Sequence, residues 1–67
     1  MAEEYKDNPL WLILVETAQT LPMYTAHLNY TKDVIIVENH TITAEELSQR
    51  LHMPLGEAIV ILSELKD

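Results

Sequence analysis

The stretch of sequence that decides the fold is residues 40–65, HTITAEELSQRLHMPLGEAIVILSEL, which predicts two helices joined by a short turn. Thr43 and Glu46 have the spacing of a capping box, in which the threonine hydroxyl accepts the amide N–H of Glu46 and the glutamate carboxylate accepts that of Thr43. The first helix is therefore expected to begin beside Thr43. Pro54 suits the start of the second helix, because proline lacks the N–H that an interior helical position donates.

Apolar residues recur at helical spacing in both predicted helices. The first helix has Ala44, Leu47 and Leu51 on one face, and the second has Ala58, Ile61, Leu62 and Leu65. Ile59 and Val60 lie off that inward stripe, so the second helix is apolar almost all round. Such a helix is usually buried on more than one side. Its extra face is covered either by another part of this chain or by a second subunit or protein.

An N-terminal helix is predicted by residues 8–21. Asn8 can cap its first amides, and Pro9 fits the first helical position. Its residues divide into an apolar stripe of Leu10, Leu14, Ala18 and Leu21, with Trp11 and Val15 beside it, and an opposite side that holds mainly Glu16, Thr17, Gln19 and Thr20. This helix is the candidate cover for the extra apolar face near the end of the chain.

Two periodicities compete in residues 22–38, PMYTAHLNYTKDVIIVE. Tyr24, Ala26, Leu28 and Tyr30 alternate like a strand face, and residues 34–37 form a β-branched run. Met23, His27, Tyr30, Val34 and Val37 instead have the spacing of a helical seam. Local propensity does not decide between them, and an α+β alternative would pair residues 34–37 with residues 41–43 in a short hairpin.

Residues 37–66 resemble the core of a helix-turn-helix of the winged-helix type, and the resemblance extends over about residues 34–66. Val37 resembles the end of the first helix of that family, and Ile42 with Thr43 resembles the brief step before the second. Residues 44–51 then resemble the second helix, residues 52–54 the turn, and residues 55–65 the recognition helix. The core of the motif is residues 43–66.

This resemblance implies that residues 22–38 are mainly helical. The fold class expected for residues 1–67 is therefore mainly α, a single small winged-helix-like domain with an extra N-terminal helix. His52 stands where the family usually has Gly in a left-handed turn, so the turn is expected to be altered or strained. The β-hairpin wing that follows the recognition helix in the family has no counterpart in the sequence given.

Charge argues against nucleic acid as a partner. The sequence has 11 acidic and four basic residues, a formal net charge of −7, and a field of that sign repels phosphates. The resemblance would place Leu55, Gly56, Glu57, Ile59 and Val60 where a recognition helix reads DNA, and none of these side chains makes bidentate contacts to bases. A DNA-binding regulator, acting as a dimer, is thus the alternative prediction. Its contacts would be Thr43, Gln49, Arg50 and Lys66.

The predicted function is a small acidic interaction module, a transcription-associated or other regulatory factor that binds a protein partner or itself. Its predicted interface consists of Leu10, Trp11, Leu14, Ile59 and Val60.

Catalysis, cofactors and a metal are not expected. The sequence has no Cys and one Gly, and its three His residues are scattered. No apolar run approaches the roughly 20 residues that span a bilayer, and the acidic start differs from a secretory signal, so a cytoplasmic protein without membrane contact is expected.

Overall fold

The computed structural model describes residues 7–66, and within that range the protein is mainly α-helical with no strand. The helices are α1 (Trp11–Gln19), α2 (Tyr24–Tyr30), a π-helical segment (Thr31–Ile35), α3 (Ile36–Glu38), α4 (Ala44–Leu51) and α5 (Leu55–Lys66). The mainly α fold class and the N-terminal helix are confirmed.

A turn at Asn8 leads into α1. The Asn8 side-chain oxygen accepts the amide N–H of Leu10 at 2.8 Å, and its backbone carbonyl accepts that of Trp11 at 2.8 Å. Asn8 thus accepts two amides at the approach to the helix, but it does not hold the predicted cap position, because the regular helix begins at Trp11 rather than at Pro9.

Residues 24–38 form one continuous helix, here called the central helix, in which the π-helical segment joins α2 to α3. The helical prediction for residues 22–38 is confirmed for 24–38, and the α+β alternative is wrong. The burial pattern of the β-branched run fits a helix and not a strand, because Ile35 is fully buried whereas Val37, which would share its face in a strand, is 77% exposed. The buried hydroxyl of Thr31 donates to the carbonyl oxygen of His27 at 2.7 Å, so it is satisfied without a partner from another element.

The capping box of α4 is present with both of its hydrogen bonds. The amide of Glu46 donates to the hydroxyl of Thr43 at 3.2 Å, and the amide of Thr43 donates to the carboxylate of Glu46 at 3.0 Å. At the other end of α4, His52 adopts φ 56° and ψ 47°, the left-handed conformation expected for this turn. The amides of His52 and Met53 both donate to the carbonyl oxygen of Ser48, which closes the helix end.

The core is built around α5, which packs against α1, α2 and α4. Four of its apolar residues are buried, and the other buried apolar residues come from α1, α2, the π-helical segment, α4 and the segments on either side of α4: Ala18, Tyr24, Ile35, Ile42, Leu47 and Met53. Because α5 contacts helices on several sides, its nearly all-apolar sequence is explained within one domain.

Two polar pairs join α2 to α5. The hydroxyl of Tyr24 donates to a carboxylate oxygen of Glu64 at 2.5 Å, and Nδ1 of His27 lies 2.7 Å from a carboxylate oxygen of Glu57. Burial raises the pKa of the Tyr24 phenol well above its usual value, and the carboxylate of Glu64 raises it further. These pairs fix how α2 lies on α5, because each satisfies polar atoms at a contact that is otherwise apolar.

Candidate protein-interaction surface

The outward side of α1 carries apolar side chains that nothing in the described chain covers. Leu10 is 64% exposed, Leu12 is 71% exposed and Ile13 is 57% exposed. We call these three residues the α1 patch. Leu12 and Ile13 lie on the outward side of α1, and Leu10, directly before α1, neighbours Ile13 at the i, i+3 spacing. Large apolar side chains singly exposed are ordinary on proteins, whereas neighbouring ones can mark contact sites.

Packing of α1 on α5 determines which residues form the α1 patch. A Cβ atom at Gly56 would lie 3.0 Å from Cδ1 of Leu14, so Leu14 sits directly on the backbone of α5 at this glycine. Ala18, four residues after Leu14, is buried in the same contact. With Leu14 and Ala18 turned inward, Leu12 and Ile13 must face away from α5.

A shallow hollow of about 140 Å³ lies at the start of α1. It is lined by Asn8, Leu10, Trp11 and Leu14. Leu10 belongs to both the hollow and the α1 patch, so the two features are continuous. Together they offer a recess and a flat apolar surface.

The charged groups around the α1 patch are acidic. Asp7 precedes α1 and is exposed, and Glu16 is exposed one helical turn after Leu12 and Ile13 on the same outward side. Residues 7–31 contain no Lys and no Arg. Along the described chain the apolar residues of the patch are thus flanked by Asp7 before α1, next to Lys6 in the sequence, and by Glu16 within it.

The predicted interface residues have three different environments. Leu10 is exposed, whereas Trp11, Leu14 and Ile59 are half-buried. Val60 is 3% exposed and belongs to the core, so its inclusion in an accessible interface is wrong. The cause is the packing of α1 and α2 on α5, which covers side chains that helical spacing placed off the inward stripe.

Leu12 and Ile13 were missed by the sequence analysis, although a signal for them is present. The inward stripe of α1 contains Leu14 and Ala18, and at helical spacing Leu12 and Ile13 fall on the opposite side with Glu16 and Thr17. Apolar residues on the polar side of an amphipathic helix indicate exposure. The prediction for that side rested on its charged and polar members alone.

The residues predicted to contact DNA mostly have partners within the chain. Arg50 binds the carboxylate of Glu38 at 2.7 Å, and the ammonium group of Lys66 donates to the carbonyl oxygen of Ile42 at 3.3 Å. Thr43 caps α4, and Gln49 is exposed. A phosphate would share these side chains with their present partners, and the carboxylate of Glu38 beside Arg50 would repel it.

The first turns of α5 are also occupied. Glu57 and Val60 are buried, Gly56 lies beneath Leu14, and Ile59 is half-buried. Of the five positions that the resemblance assigns to DNA reading, Leu55 alone is exposed. This side of α5 serves the interior of the domain.

Among residues 7–66, no three His, Cys, Asp or Glu side chains are grouped closely enough to hold a metal ion. The described helices include none with the length and apolar character needed to cross a membrane. No protein-family model matches this chain, and neither a curated protein nor a solved structure shows significant similarity to it.

Proposed function

We propose that this protein is a small interaction module that binds another protein through the α1 patch and the adjoining hollow. The resemblance of residues 34–66 to a helix-turn-helix suggests a regulatory setting, such as association with transcription. In this proposal the helix-turn-helix-like part is the scaffold and α1 carries the binding surface.

The observation that carries the proposal is the exposure of Leu12 and Ile13 on the outward side of α1 and of Leu10 beside the hollow at the start of that helix. Full burial of one such side chain is worth about 1.5–3 kcal/mol, so covering three that are more than half exposed contributes several kcal/mol to binding. A chain of 67 residues has little apolar surface to spare from its own core. Leaving these residues outside is therefore best explained by a partner.

The scaffold presents the patch in a fixed position. Leu14 on Gly56 and the buried Ala18 hold α1 against α5, and the capping bonds from Asn8 hold the start of the helix. A surface that is already ordered needs no folding on binding, which lowers the entropic cost of association.

Photo-crosslinking in the cells that make the protein tests this function directly. A photoreactive benzoylphenylalanine is placed at position 12, in the α1 patch, and at position 25 as a control. Leu12 and Thr25 are both exposed helical positions, but Thr25 lies on α2 outside the patch. We expect discrete protein adducts from position 12 and none of the same size from position 25.

Circular dichroism and thermal unfolding of the two purified variants provide the folding control. If both variants are folded and position 12 gives no protein adduct, or the same adducts as position 25, the α1 patch is not a protein-binding surface and the proposal is wrong.

A further inference from the structure

We infer that the partner of the α1 patch is an amphipathic segment whose apolar residues are flanked by Lys or Arg. This inference rests on the proposed function and adds the chemistry of the partner. It is drawn from the charges around the patch and from the shape of the hollow.

The charges at the two ends of the α1 patch have the same sign. Asp7 and Glu16 are both exposed, and Glu16 lies on the outward side of α1 one turn after Ile13. Lys6 is next to Asp7 in the sequence, whereas Glu16 has no Lys or Arg at the i±3 or i±4 positions of α1, and residues 7–31 contain neither. A segment that covers the patch therefore brings its own flanking groups close to carboxylates, and complementary charge at that place selects basic residues.

The same charges disfavour a second copy of this chain as the occupant. A symmetric pair would use the same patch on both copies, so each acidic flank could meet only another patch with acidic flanks. Each copy also carries a net charge of −7, which adds repulsion at long range. Both the acidic flanks and the net negative charge oppose self-association, whereas both attract a basic partner.

The hollow indicates how the partner is anchored. Its volume of about 140 Å³ is close to that of a cavity that holds benzene, roughly 150 Å³. Leu10, Trp11 and Leu14 give it apolar walls, and Asn8 is its polar edge. One leucine or phenylalanine side chain of the partner would fill it, while its neighbours cover Leu12 and Ile13.

Two synthetic peptides of about 18 residues test the inference, each an amphipathic helix with the same leucine and phenylalanine face. One peptide has Lys on both flanks of that face and the other has Glu. Binding of each labelled peptide to the full chain is measured by fluorescence anisotropy at roughly 50 mM and 300 mM salt, where the Debye length falls by more than half. We expect the Lys peptide to bind at least about tenfold more tightly at low salt, and its affinity to fall at high salt.

Two charge-reversal variants locate the effect. Glu16→Lys is expected to remove most of the preference for the Lys peptide, because it reverses a flank of the patch. Asp33→Lys makes the same change in net charge at an exposed position on the π-helical segment and is expected to keep the preference. Loss of the preference in both variants alike would show that only net charge matters, and would overturn the assignment to the patch.

Three results would overturn the inference: equal binding of both peptides, binding of neither, or binding that salt does not weaken. Sedimentation equilibrium, which measures self-association, could give a fourth such result. Self-association that Leu12→Ser abolishes and that strengthens with salt would make a second copy the occupant. In each case adducts from position 12 in the crosslinking experiment would leave the interaction function standing, so the two failures are distinguishable.

Discussion

His27 places Nδ1 2.7 Å from Oε2 of Glu57, a carboxylate whose side chain is only 2% exposed. The pair links α2 to the first turns of α5 and gives a buried acidic group its hydrogen-bond partner. We expect His27→Ala to lower the free energy of unfolding by about 3 kcal/mol, because it leaves Glu57 buried without this partner. Urea unfolding followed by circular dichroism measures the change.

The matched variant for this pair is the double substitution His27→Leu with Glu57→Leu, since replacing a buried pair by apolar residues is often neutral. We expect it to recover most of the stability lost in His27→Ala. A loss below about 0.5 kcal/mol in His27→Ala, within the range of ordinary surface substitutions, would mean that Glu57 is satisfied in some other way.

Tyr24 is expected to make the protein less stable in alkali. Its pKa is raised in the folded state by burial and by Glu64, so the folded protein holds the phenolic proton more tightly than the unfolded chain. The stabilisation that Tyr24 contributes to the folded state is fully present below the pKa of about 10 that the residue has in the unfolded chain. It is lost as the pH rises above that value.

The measurement is urea unfolding between about pH 8 and pH 11 for wild type, Tyr24→Phe and Tyr30→Phe. Tyr30 is the control because its ring is exposed. We expect the decline above about pH 10 to be shallower in Tyr24→Phe than in the other two proteins. Parallel curves for all three would contradict the predicted effect of Tyr24.

His52→Gly is expected to stabilise the protein. His52 has a positive φ of 56°, a conformation that costs an L-residue roughly 1–2 kcal/mol, and glycine avoids this strain. Part of this stabilisation is offset, because glycine gives the unfolded chain more conformational freedom. We therefore expect the free energy of unfolding to rise by about 0.5–1 kcal/mol, measured by thermal or urea unfolding.

His40→Gly is the natural control, since no other described non-glycine residue has a positive φ. It should bring no gain. If the two substitutions have equal effects, the left-handed backbone at His52 is not strained.

Leu14 and Gly56 are expected to be energetically coupled. Replacing glycine by alanine inside a helix usually raises the free energy of unfolding by about 1 kcal/mol. Here the new Cβ atom would lie 3.0 Å from Cδ1 of Leu14. We expect Gly56→Ala to raise the free energy of unfolding clearly less in wild type than in a Leu14→Ala background. In a double-mutant cycle the coupling energy of the two substitutions should be about 0.5–1 kcal/mol. Strict additivity would show that α1 does not rest on α5 at this point.

Duplex DNA is not expected to bind. The few basic groups suggested for phosphate contact are engaged with Glu38 and with the carbonyl of Ile42, and the net charge is −7. We expect no change in anisotropy of a labelled mixed-sequence duplex up to roughly 100 μM protein at low salt. Salt-sensitive binding that Arg50→Ala abolishes would instead favour the DNA-binding alternative.

Contacts between residues close together along the chain could be predicted from the sequence, whereas contacts between distant residues could not. Thr43 and Glu46 are three residues apart and form their capping box from local geometry alone. The left-handed turn at His52 was expected from the resemblance, because the family has Gly at that position. By contrast, the partners of Tyr24 and His27 lie 40 and 30 residues further along the chain, where no periodic pattern indicates a pairing.

The candidate surface was predicted only in part, because exposure depends on which helix covers which. Spacing placed Val60 away from the inward stripe, yet α5 is covered on more than one side and Val60 is buried. For α1 the periodicity would have been enough to place Leu12 and Ile13 outside, since that helix packs with a single face, but neither residue was predicted. The π-helical segment carries no local signal that the sequence analysis recognised.

The central place of α5 has a consequence for synthesis on the ribosome. Its buried Ala58, Val60, Ile61 and Leu62 are the apolar surface against which the earlier helices pack. Until α5 has left the exit tunnel, the upstream helices have no completed core. At about 5–20 residues per second, α5 follows α1 within several seconds of synthesis. The helices before α5 therefore complete their core only after α5 emerges, rather than one by one.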